Sequence, residues 1–159
     1  MNSIKRHIKL AKVINPETTK KQLKADYMDG NLSEDIHTAI DIFDTIENYH
    51  SGNFTASELE PLVDFLNDSD KELWLDIDGM EFRIISESAI DEIYQESFKE
   101  MVEDCYDIKP DNFPSFLIVN IDWEASADYV QQCDGYGNHF ASYDGAELES
   151  SGYYIFRTS

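Results

Sequence analysis

The uneven distribution of charge constrains this chain more than any other feature. Residues 1–24 hold seven of the twelve Lys and Arg residues (Lys5, Arg6, Lys9, Lys12, Lys20, Lys21, Lys24) and one acid, Glu17, a balance of +6. Residues 25–159 hold 32 acids and five bases, a balance of −27 within an overall formal charge of −21. Self-repulsion of this size opposes a compact state and far exceeds the modest net charge that solubility requires. A fold must therefore spread the carboxylates over an outer surface while apolar residues gather inside. With 42% hydrophobic and 13% aromatic residues the chain has the material for a core, which separates it from disordered acidic sequences. An acidic body of this kind repels nucleic acid and anionic membranes and is drawn to basic proteins.

The longest apolar stretch, Phe116 to Ile121, contains Asn120 and is far shorter than the roughly 20 residues needed to cross a bilayer. The start of the chain is basic but has no apolar run or small-residue cleavage site of a secretory signal, so the expected compartment is the cytoplasm. Cys105 and Cys133 have no paired Cys or His spacing around them. Both are expected to be small core residues rather than zinc ligands or disulfide partners.

Periodicity predicts a mixed α+β chain, with several amphipathic helices, short β-hairpins and an elongated acidic body. Residues 1–24 read as a basic arm or short helix, and 25–85 as a helical hairpin followed by a β-hairpin. After Ser33 as N-cap, Ile36, Ala39, Ile40, Phe43 and Ile46 recur at helical spacing, and the helix ends near Tyr49 to Gly52. Thr55 to Glu58 fits a capping box before Leu59, Leu62, Val63 and Leu66, with Pro61 limiting the first turn. Leu73, Leu75 and Ile77 alternate with polar residues, and Asp78-Gly79 is hairpin-turn chemistry before Phe82, Ile84 and Ile85. In 86–159, Ile90, Ile93, Tyr94, Phe98, Met101, Val102 and Cys105 mark the apolar side of the longest helix, with Ser86 or Ser88 as cap. Asp122 caps a helix through Gln132 that buries Trp123, Ala127 and Val130. Tyr136 to Tyr143 and Tyr153 to Arg157, around Asp144-Gly145, read as strand, turn, strand.

No catalytic constellation rises above chance. Among 33 carboxylates, close pairs such as Asp76/Asp78 and Asp68/Asp70 are expected in any case, and neither lies in a calcium loop. His7, His37, His50 and His139 show no i, i+4 pairing, and neither a nucleophile elbow nor a Gly-rich phosphate loop is present. Tyr and Phe are interleaved with Asp and Glu, the wrong sign for stacking on a nucleic acid. The expectation is a protein without enzymatic activity, cofactor or metal.

The acids themselves carry the remaining signal. On the helix from Ser88 to Cys105, Glu92, Glu96, Glu100 and Glu103 fall three or four apart opposite the apolar side, interrupted only by Lys99. Like charges at that spacing disfavour a helix by tenths of a kcal/mol each. The competing explanation is an ordinary solvated helix face. B-form DNA carries one charge per about 1.7 Å of axis, so one stripe is too sparse and two to four neighbouring stripes are needed to imitate it. Acids on 34–50, including Asp41 and Asp44, on 88–107, including Asp104, and on 122–128 can supply them. The body charge equals that of the phosphates on about 13 base pairs, about 45 Å of duplex.

Glu103-Asp104-Cys105-Tyr106-Asp107, then Ile121-Asp122-Trp123-Glu124-Ala125 with Asp128, then Gly152-Tyr-Tyr-Ile-Phe-Arg157, in that order, resemble the C-terminal domain of the ArdA family of antirestriction proteins. The likeness spans about residues 86–157, and the helix pair at 33–66 echoes the family's middle region more faintly. The chain departs from the family in its Lys-rich start and in a longer segment between Gln132 and Tyr153. The resemblance implies a homodimeric protein of a mobile element, a plasmid or phage, that acts in the cytoplasm of a bacterial host and mimics B-form DNA in the groove of type I restriction-modification enzymes. It also implies phosphate surrogates at Asp107, Asp122, Glu124 and Asp128. The expected partner is thus a DNA-binding protein of a restriction or other defence system, neither nucleic acid nor membrane. The alternative is an acidic interaction module that inhibits another defence complex, such as CRISPR, without tracing a duplex.

Overall fold

The structure is a computed structural model that describes residues 34–50, 56–68, 70–108 and 111–159. The basic arm and the caps expected at Ser33 and Thr55 lie outside these residues.

Four antiparallel strands form one sheet in the order β1-β2-β4-β3, with β1 at Glu72–Ile77, β2 at Met80–Ser86, β3 at Leu148–Ser150 and β4 at Tyr153–Arg157. Helices α1 (Glu34–His50) and α2 (Ala56–Asp68) precede the sheet in sequence. Helices α3 (Ile90–Cys105), α4 (Ser115–Ile118), α5 (Trp123–Asp134) and α6 (Gly137–Phe140) lie between β2 and β3. The fold is α+β.

Strand alternation sends neighbouring side chains to opposite faces of the sheet and so builds two cores. Leu75, Ile77, Phe82, Ile84 and Ile155 join Ala39, Ile42, Phe43 and Ile46 of α1 and Leu62, Val63 and Phe65 of α2. On the other face Ile85 and Phe156 join Ile90, Tyr94 and Phe98 of α3, Ala127 of α5, and Tyr136 and Phe140 around α6. The result is three layers, helices above and below one sheet. Phe82 and Phe156 are fully buried on adjacent strands and face opposite layers, each stabilising its core by about 1.5–3 kcal/mol.

Both hairpins turn in two residues with positive φ, as the right-handed strand twist demands: Asp78 (53°) and Gly79 (78°), then Ser151 (50°) and Gly152 (80°). Asp76 Oδ1 accepts from the Gly79 N–H at 3.2 Å and so serves the first turn. β2 pairs with β4 from Phe82↔Arg157 to Ser86↔Tyr153, so the first hairpin and the closing strand share one sheet.

Several local expectations are corrected. The N-cap of α3 is Ala89, without a side-chain hydrogen bond, rather than Ser86 or Ser88; those two hydroxyls lie 3.3 Å from each other instead. Tyr136 to Tyr143 is a turn and a short helix, and the strand that forms a hairpin with β4 is β3, with β2 on the other side of β4. Helical spacing brings Tyr136 and Phe140 onto the same aromatic cluster (ring centroids 6.5 Å apart), and Gly137 lets this turn close on residue 145, where a Cβ would meet the Gly145 carbonyl oxygen at 2.3 Å. Cys105 and Cys133 are both exposed, because the last fully buried position of α3 is Phe98 and α5 fully buries only Ala127. Among the described residues no helix is long and apolar enough to cross a membrane.

Candidate binding surface

Helices α3 and α5 run antiparallel side by side. The Lys99 ammonium lies 5.9 Å from the Trp123 ring centre, the Gln95 amide donates to Asp128 at 3.3 Å, and near the start of α3 the Tyr136 hydroxyl donates to Asp91. The pairing follows from the sequence: Asp122 caps α5 by accepting from the Ala125 N–H at 3.0 Å, and Ala127 is small enough to bury against its neighbour. Asp122 is therefore both an expected surrogate and a structural cap.

On α3 the acids Glu92, Glu96 and Glu100 are exposed and Glu103 partly so, all on the side away from Ile90, Tyr94 and Phe98. Glu124 and Asp128 stand exposed on α5. Lys71 pairs with Glu92, and Lys99 reaches Glu103 at 4.0 Å. The carboxylates of Glu96, Glu100 and Glu124 make no ion pair or hydrogen bond to the described residues. Asp104 and Asp107 are exposed at the C-terminal end of α3. Asp107 takes the left-handed conformation (φ 50°) that ends the helix, with the Ile108 N–H bonded to the Glu103 carbonyl at 2.9 Å, and it accepts from the Asn112 amide. Nine of the eleven acids expected to act together thus lie on one helix layer.

Asp41 and Asp44 do not join them. They sit on α1, across the sheet, and both are partly buried. Asp41 accepts from the Ser151 hydroxyl at 3.0 Å and lies 3.3 Å from His37 Nδ1, so it ties α1 to the β3–β4 turn.

Two polar groupings were not evident from sequence. The Tyr49 hydroxyl donates to Asp144 at 2.6 Å, while the Arg157 guanidinium stacks 3.6 Å from the Tyr143 ring centre and donates to His50 Nδ1 at 3.1 Å. Asp144 is held below the usual carboxylate range. Burial pushes the other way, but the Tyr49 hydroxyl, the Ala146 N–H and Arg157 outweigh it. On the opposite layer the Ser97 hydroxyl lies 2.8 Å from His139 Nε2 and 2.8 Å from the Ile93 carbonyl. With the hydroxyl proton given to that carbonyl, the ring donates to Ser97 and cannot act as its base, so the contact locks α3 to α6. Among the described residues no three His, Cys, Asp or Glu side chains converge as a metal site would require.

The chain matches no family model, no curated protein and no solved structure.

Proposed function

We propose that this protein inhibits a host defence enzyme by occupying its DNA-binding groove in place of duplex DNA, with type I restriction-modification enzymes as the first target class. The supporting observation is the α3–α5 face, where two rows of carboxylates stand with only Lys71 and Lys99 set against them among the described residues. In a target groove each carboxylate would meet a Lys or Arg that otherwise holds a phosphate. No bond is made or broken, and the effect is competition. The test is displacement of duplex DNA from a type I restriction enzyme at increasing salt. The expected result is an affinity that falls steeply with ionic strength. No displacement, or displacement indifferent to salt, removes the reading. Sedimentation of the same protein measures whether it acts as a monomer or as the homodimer that the resemblance implies.

A second reading is favoured by the apolar side chains exposed at the far end of α3 and through α4. An acidic interaction module would grip a basic partner by local shape. Neutralising two or three carboxylates would then abolish binding, whereas a duplex mimic loses affinity gradually over many positions.

A further inference from the structure

Seven of the ten large apolar or aromatic side chains that stand exposed among the described residues fall between Met101 and Tyr129, so the exposure is concentrated in one stretch of the sequence. Val119 is 79% exposed, Tyr106 72% and Phe116 66%. The cause is visible in the helices. The last fully buried position of α3 is Phe98, with Val102 partly buried against the core; α4 fully buries none of its four residues, and α5 fully buries only Ala127, with Val130 partly buried beside it. The apolar pattern of the chain thus supplies more large side chains than the core takes in. Apolar exposure gathered in one highly charged stretch is more than the scattered exposure of ordinary surface and points to a contact site.

The charge of that stretch identifies what fits. Between residues 100 and 134 the chain carries nine acids and one base, Lys109. A second copy seated on this surface would set one acidic stretch against another, and an anionic membrane is repelled in the same way. A protein surface with apolar side chains flanked by Lys or Arg gains on both counts, by drying the centre and by pairing the edge. We infer that the surface formed by the end of α3, by α4 and by the outer side of α5 is a docking site for a partner of that chemistry. The contact has an apolar centre and is not made by charge alone. The inference rests on the proposed reading of the partner as a basic protein, and it adds where the partner is gripped.

The full chain is titrated with two synthetic probes: an amphipathic Leu/Lys helical peptide and an all-Lys peptide of equal charge. The expected result is that the Leu/Lys helix stays bound as salt rises while the all-Lys peptide is released. The triple variant F116S/L117S/V119S is expected to weaken the Leu/Lys helix by about tenfold or more and to leave the all-Lys peptide unchanged. A second variant, Y106S/Y129S, is expected to show the same loss; all five side chains lie outside both cores, and circular dichroism checks the fold. Unchanged binding of the Leu/Lys helix in both variants overturns the inference. So does a wild-type dimer that becomes monomeric in the variants, or binding to phosphatidylcholine vesicles that the variants lose. Loss of peptide binding in the variants together with no displacement of DNA from a restriction enzyme leaves this docking site standing and removes the proposed function. Displacement by both variants as strong as by wild type, with peptide binding unchanged, does the reverse.

Discussion

The two helix layers bury the same sheet with different materials. The α1–α2 layer is built mainly of aliphatic side chains, with Ile42, Ile46, Leu62 and Val63 fully buried, and its acids Asp41 and Asp44 are partly buried against the fold. The layer from α3 to α6 is built on rings. Tyr94 meets Tyr136 edge-on at 5.4 Å, and Phe140 lies 5.2 Å from Phe156. Fewer of its residues reach the core, and its outer surface holds the partnerless carboxylates of Glu96, Glu100 and Glu124 and most of the exposed apolar side chains found among the described residues. One layer is occupied with covering the sheet, while the other covers it with a few large rings and leaves the rest of its helices for contact. Aromatic side chains make that economy available, because each buries up to about 250 Å².

This contrast is open to direct tests. The largest effect is expected from core truncation: Ile46→Ala on the aliphatic side and Tyr94→Ala on the aromatic side should each cost about 2–5 kcal/mol in denaturant unfolding. Because β2 and β4 supply both cores, each variant should still unfold in one transition. Two separated transitions would show the layers to be independent. Next, Gly137→Ala should cost about 1–3 kcal/mol, since the added methyl meets the Gly145 carbonyl oxygen, and near-ultraviolet dichroism should report the damage to the ring cluster. A loss of stability without any change in the ring signal would move the strain elsewhere.

His50 in one layer and His139 in the other are partly buried, and they set a smaller, pH-dependent effect. Burial, then Arg157, lowers His50 on the aliphatic side; burial, then Arg83, lowers His139 on the aromatic side. A histidine whose folded pKa is depressed takes its proton more readily when unfolded. Its contribution is therefore complete above the unfolded value near 6.5 and is lost as pH falls from there toward the folded value. His50→Gln and His139→Gln should each flatten that loss between about pH 7 and 5 relative to wild type. Equal slopes in wild type and both variants would exclude the histidines as its source. The smallest change in stability, tenths of a kcal/mol and in the stabilising direction, is expected from Glu96→Gln with Glu100→Gln, through relief of like-charge repulsion along α3. The same pair should weaken competition with duplex DNA, and an unchanged competition curve would free those two positions from any part in binding.

Features set by neighbours in sequence were readable before the structure. Asp78-Gly79 between alternating apolar runs specified the first hairpin, and Asp122 at the head of an amphipathic stretch specified the cap of α5. The acid stripe on α3 was likewise legible, since helical spacing alone places Glu92, Glu96, Glu100 and Glu103 on one side. What depended on distant partners was not. Aromatic residues at Tyr136 to Tyr143 suit a strand as well as a helix, and only the approach of residue 145 to Gly137 and the Glu147 carboxylate bonding the Tyr136 and Gly137 N–H groups at 2.9 and 3.0 Å decide the matter. The separation of Asp41 and Asp44 from the other acids follows from the sheet lying between α1 and α3, which no local pattern encodes. Cys105 and Met101 carry the right apolar period but stand exposed on α3.

The central strand pair has a further consequence, in time rather than in space. β2 and β4 come from distant parts of the chain, yet Ile84 and Ile155 complete one core and Ile85 and Phe156 complete the other. The first hairpin and α1–α2 can approach one another early, because their contacts are local. Neither core can close until the intervening helices have been looped out and β4 has docked, and forming such a loop is slow compared with forming a hairpin. Folding should therefore wait on a single late event. Until it happens, the edge of β2 that β4 will occupy stays open to strands from other molecules, and the dense negative charge of the body then keeps such encounters rare.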